Sequence, residues 1–125
     1  MPHETYAACI EACNGCATTC NHCAASCLKE SDVAMMARCI ALDIDCAALC
    51  RVAADAVARN SEMARRICEA CADVCDACAD ECEHHDTDHC QACAAACRRC
   101  ANECRKMAAR RLRQSADQGA LLQAH

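Results

Sequence analysis

The feature that most constrains this chain is a rhythm of cysteines. Cys9, Cys13, Cys16, Cys20, Cys23 and Cys27 are separated by alternating steps of four and three, and the alternation returns at Cys68, Cys71, Cys75, Cys78 and Cys82 and at Cys90, Cys93, Cys97, Cys100 and Cys104. Such steps keep side chains on one stripe of an α-helix, the seam by which bundled helices meet, whereas a strand needs a step of two. A sparser series, Cys39, Cys46 and Cys50, lies between the first two, and Met35, Leu42, Leu49, Ala53 and Val57 are expected to fill the rest of its stripe. Four helices therefore present sulfur where a bundle ordinarily presents Leu and Ile.

The rest of the sequence agrees. Only two Gly and one Pro interrupt 125 residues, and Ala supplies 30 of them, so helix propagates easily. Ser31 with Asp32, Asn60 or Ser61, and Thr87 or Asp88 are natural helix starts. They predict helices at about 5–28, 33–58, 61–83 and 88–113. Linkers this short force consecutive helices to be antiparallel neighbours. The expected fold is all-α, an up-down-up-down antiparallel four-helix bundle with a cysteine-lined core over residues 1–113, followed by a C-terminal tail at 114–125.

Composition removes several functions. Nineteen Cys would suit a disulfide scaffold, but the number is odd. Met1 is followed by Pro2, His3 and Glu4 rather than by a secretory signal, so a cytoplasmic protein with reduced thiols is expected. No apolar run approaches the length of a membrane span. A net charge of -5 and a single aromatic residue exclude a nucleic-acid surface. Six CxxC pairs suggest a thiol-disulfide redox protein, but such chemistry needs one activated thiol at a helix N-terminus beside a strand. Six pairs in mid-helix do not supply that, and no enzyme is expected.

Packing makes the case for metal. With 14 Val, Ile or Leu and no Phe or Trp, a core of Cys and Ala buries little area and leaves the axis poorly filled. Soft thiolates select Cu(I), Zn(II) or iron–sulfur clusters. Four or five tetrahedral Zn(II) would leave about ten negative charges unneutralised in a core without buried cations. Iron–sulfur sites generally carry a trailing Pro, and the only Pro here is Pro2. Cu(I), bound by two thiolates that each bridge two ions, keeps the core near neutral, at close to one ion per Cys. A zinc or general thiol buffer is the alternative.

The motifs CxxxCxxC in the first helix and CxxCxxxCxxC in the third and fourth resemble those of the bacterial four-helix-bundle copper storage proteins, over about residues 5–107. The resemblance implies a store of many Cu(I) ions along the core and a homo-oligomer, a tetramer, with a copper chaperone or a copper-requiring enzyme as the expected partner. Lack of an export signal points to the cytosolic branch.

Topology predicts how copper gets in. The first and third turns share one end, which collects Cys27, Met35, Met36, Cys39, Cys82, His84, His85, His89 and Cys90. Thioether and imidazole bind Cu(I) without losing a proton, so Met35, Met36, His85 and His89 are the candidate mouth ligands. Asp80, Glu81, Glu83, Asp86 and Asp88 lie nearby and should concentrate cations. The opposite end gathers Tyr6, Ala53, Val57, Ala64, Ile67 and Met107, an apolar plug. Acids on the third helix and bases on the fourth are expected to pair along a shared edge.

Overall fold

The computed structural model describes residues 2–123, with burial assigned for 6–114 and Ala116. Four helices form: α1 (Pro2–Cys27), α2 (Ala37–Ala58), α3 (Ala64–Glu83) and α4 (Asp88–Gln123), with a 3-10 turn at Val33–Met36 leading into α2. The helices sit at the corners of a square, α1 against α2 and α4, and α3 against α2 and α4. Sulfur separations give the directions. Rising numbers in α1 meet falling numbers in α4, as in Cys13–Cys104 at 3.6 Å and Cys20–Cys93 at 3.5 Å. The same holds for α2 and α3, through Cys39–Cys82 at 3.6 Å and Cys46–Cys75 at 3.5 Å. This is the expected antiparallel bundle.

The helix ends differ from the sequence expectation for local reasons. Asp32 makes no side-chain cap, so residues 33–36 tighten into a 3-10 turn and the α-helix proper begins four residues later than expected. The end of α2 is a Schellman turn, in which Ser61 N–H donates to Ala56 O at 2.9 Å and Asn60 N–H to Val57 O at 3.0 Å. It needs one left-handed residue, and Asn60 supplies it at φ 54°. Ser61 Oγ then accepts from Met63 N–H at 3.1 Å, which delays α3 to Ala64. Thr87 behaves as expected, its Oγ1 accepting from Cys90 N–H at 3.3 Å. Helix α4 continues through residues 114–123 of the expected tail, because Gly119 alone does not stop a helix that lacks Pro; residues 124 and 125 lie outside the described residues.

The expected edge between α3 and α4 is present. Arg98 reaches Asp76 at 3.1 Å, Asp80 at 2.5 Å and Glu83 at 3.1 Å, and Arg105 reaches Asp76 at 2.7 Å. Its hydrogen bonds to Glu83 and Asp80 hold the Arg98 guanidinium further above its already high range. No helix among the described residues is long and apolar enough to cross a membrane.

Candidate metal centre

Every one of the nineteen cysteines is buried and carries a free thiol. Heptad spacing explains why: each helix turns its 4-3 stripe inward, and Ala17, Ala47, Ala72, Ala79, Ala94 and Ala101, also buried, let the backbones approach. The result is a column of sulfur. Four-thiol groups recur along it, each with its sulfurs within 4.8 Å of one another: Cys13, Cys71, Cys100 and Cys104; Cys16, Cys46, Cys50 and Cys75; Cys16, Cys20, Cys46 and Cys97; Cys20, Cys78, Cys93 and Cys97; and Cys23, Cys27, Cys39 and Cys90. Cys16, Cys20, Cys46 and Cys97 each belong to two of these groups. The sites are not separate cages.

One member of the column is not sulfur. Asp43 is fully buried, at the position in the α2 stripe where the 4-3 rhythm calls for a residue between Cys39 and Cys46. Its Oδ1 accepts from the thiols of Cys78 at 3.1 Å, Cys93 at 3.2 Å and Cys82 at 3.7 Å. Cys39 reaches Oδ2 at 3.8 Å. Burial above all raises the Asp43 carboxyl to about 8. The sequence expectation fills this stripe with Met35, Leu42, Leu49, Ala53 and Val57, of which Ala53 and Val57 are buried. In the structure Leu42 and Leu49 flank the core half-buried, Met35 faces out, and Met36 and Asp43 take the inner places. Counting the rhythm strictly from Cys39 lands on residue 43, so the signal was present in the spacing. Hydrophobicity was the wrong guide in a column lined with polarizable ligands.

At the end formed by the first and third turns, the four candidate mouth residues part company. His89 Nδ1 stands 3.6 Å from Cys23 Sγ, 3.8 Å from Cys27 Sγ and 3.6 Å from Cys90 Sγ. Met36 is 5% exposed and belongs to the core, whereas Met35 is 68% exposed. His85 is held at the rim by Glu81, 2.8 Å away, which also binds Arg38 at 2.8 Å. Hydrogen bonds from Arg38 and His85 lower the Glu81 carboxyl. His84 Nδ1 turns to Asp80 O at 2.6 Å. Of the acidic group, Asp80 and Glu83 are engaged by Arg98 and Glu81 by Arg38, which weakens the field available to draw in cations. Burial pushes the thiols of Cys27 and Cys90 up, so the sulfurs next to His89 carry protons until a metal replaces them.

The opposite end is closed. Tyr6, Ala53, Val57, Ala64 and Met107 are buried there, with Ile67 packed against them. The Arg111 guanidinium lies 5.0 Å from the Tyr6 ring centroid, donates to Asn60 Oδ1 at 2.8 Å and to Ser61 O at 3.4 Å, and so ties α4 over the second turn. The sequence expectation had named the apolar plug but not Arg111.

Chemically, a buried column of mutually close thiols can exchange each proton for one monovalent soft cation without changing its net charge. A divalent ion at the same density would not balance in this way.

Comparison with known proteins adds the following. The family model described as copper storage protein matches residues 2–109. A Cu(I)-bound copper storage protein shares 50% identity and a TM-score of 0.79, covering 82% of this chain and 97% of that one. The metal-free copper storage protein 3 of Bacillus subtilis shares 48% identity and a TM-score of 0.77, over 82% of this chain and 98% of its own. A cytosolic copper storage protein of Streptomyces lividans, loaded with five coppers, shares 41% identity and a TM-score of 0.83, over 86% and 95%. No curated protein matches.

Proposed function

Because the chain belongs to the copper storage protein family, we propose that it holds Cu(I) as cargo along its whole core, at close to one ion per cysteine. The observation that carries this is the sharing of sulfurs between adjacent buried four-thiol groups. Shared sulfurs suit a ligand that bridges two monovalent ions. One Cu(I) for each thiolate leaves the column neutral, whereas four or five tetrahedral zinc centres of four thiolates apiece would not. Asp43 supplies an oxygen donor within the column.

The ligands in this reading are all nineteen cysteines, and the mouth is the His89 end. His89 and Met36 support that role by position, the first against three thiols and the second inside the core. Met35 and His85, at the rim, are the outer stage of capture. The store has no catalytic part in this reading, since its thiols form a buried continuum rather than one activated pair at a helix start. A cytosolic location is supported by the relative named as cytosolic. Homo-oligomer formation, as a tetramer, belongs to the same reading, supported by Ile44 and Val52, both exposed on α2. The donor or recipient of the metal would be a copper chaperone or a copper-requiring enzyme.

Anaerobic titration of the fully reduced protein with Cu(I), followed by desalting and parallel copper and thiol counts, tests the function. Saturation near the 19 thiols is expected, with proton release as thiols become thiolates. A plateau at four or five ions, or displacement of copper by zinc, would overturn it.

A further inference from the structure

His89 does not approach the thiols unaided. Its second ring nitrogen, Nε2, lies 2.8 Å from Glu30 Oε1. Glu30 sits in the turn between α1 and the 3-10 segment, held by its own N–H donating to Cys27 O at 3.2 Å. The contact therefore crosses the end of the bundle, from the first turn to the first residues of α4. An ionised carboxylate can only accept, so the hydrogen of this bond belongs to Nε2. In a neutral imidazole that leaves the lone pair on Nδ1, the atom facing Cys23, Cys27 and Cys90.

We propose that Glu30 is a positioning residue of the mouth: by accepting from Nε2–H it fixes the tautomer and the ring orientation of His89, so that Nδ1 is presented to incoming Cu(I) beside three thiols. The inference rests on the mouth assignment made above and adds the residue that sets it. Metal-binding imidazoles commonly donate their other N–H to a carboxylate, which fixes the ring and makes the free nitrogen a better donor. The arrangement here has both halves, an outer carboxylate and an inner cluster of soft ligands, on a histidine whose side chain is 14% exposed. His85, whose side chain is also 14% exposed, shows the contrast, since the carboxylate that its Nε2 meets is shared with Arg38. Without Glu30 the His89 ring is free to flip or to place its proton on Nδ1, and either change removes the lone pair from the path.

The test uses the full chain, reduced and metal-free, in four forms besides the wild type: Glu30→Ala, Glu30→Gln, His89→Ala and the double variant Glu30→Ala with His89→Ala. Initial loading is followed by anaerobic stopped flow with Cu(I) as its acetonitrile complex, and long-range proton–nitrogen spectra report the ring tautomer. Glu30→Ala is expected to mix the tautomers and to slow loading by about tenfold, the lower end of what such outer partners contribute. Glu30→Gln, whose amide oxygen still accepts, restores the tautomer and most of the rate. In the His89→Ala background, Glu30→Ala adds nothing. Equal slowing by Glu30→Ala with and without His89 would make Glu30 a mere brace of the turn and overturn the inference, as would an unchanged tautomer or an unchanged rate in Glu30→Ala alone. If His89→Ala itself loads at the wild-type rate, the mouth assignment fails and takes the inference with it, while the storage function stands on the titration above.

Discussion

Asp43 shows how one residue can tie the stability of the bundle to pH. Its carboxyl is raised from 3.8 to about 8, so between those values the folded protein keeps a proton that the unfolded chain has released. Unfolding is then favoured by rising pH: the stability associated with this proton is complete below about pH 4 and is lost as pH climbs through about 8. The cost by pH 8 is on the order of a few kcal/mol. Chemical denaturation of the metal-free, reduced protein at pH 5.5 and pH 8 should therefore show a loss of stability that Asp43→Asn largely removes. An equal loss in the variant would assign the pH dependence to other groups. The shared sulfurs make a second prediction at this scale. Cys46 is shared between four-thiol groups, and at close to one ion per thiolate Cys46→Ala should lower Cu(I) capacity by about one ion. A capacity unchanged from the wild type would mean that Cys46 is not among the ligands.

At the scale of the helix, the cysteine stripes were legible because their period is strict and unmixed. The 4-3 alternation in α1, α3 and α4 fixed which faces turn inward, and the short linkers fixed the antiparallel order. The stripe of α2 was read less well. Three cysteines leave gaps there, and a reading that filled them by hydrophobicity chose Leu42 and Leu49 over Asp43. Helix ends were legible to within four residues except at the end of α4, which runs to Gln123 instead of residue 113, and the misses have local causes: an Asp32 that does not cap, a Ser61 occupied by a turn, and an α4 with no Pro to end it. The crossing contact between Glu30 and His89 could not be read, since it joins a turn to the start of a helix 59 residues away. The charged edge between α3 and α4 was visible in the sequence, but its energetic weight depends on exposure. Arg98 has a side chain 41% exposed, so Arg98→Ala is expected to cost no more than about 1 kcal/mol in thermal or chemical denaturation, and less at high salt. A salt-independent loss of several kcal/mol would show that the edge is effectively buried.

For the molecule as a whole, metal and fold are linked. Cu(I) bound only by the folded core must raise apparent stability. The melting temperature should climb progressively with copper added and return to the metal-free value on chelation. A midpoint indifferent to copper would mean that the ions sit outside the thiol column. The closed end, where Arg111 is strapped across Tyr6 and the second turn, leaves the proposed mouth at His89 as the way in. A vessel filled through that mouth alone, its contents passing from sulfur to sulfur in file, would keep a record of arrival. The ions nearest Tyr6 would be the earliest to arrive and the last to leave, and those beneath His89 would turn over first. Loading with one stable copper isotope, topping up with the other and withdrawing a few ions by chelator should return mostly the second. The protein would in that sense be a stack, its freshest copper the most available.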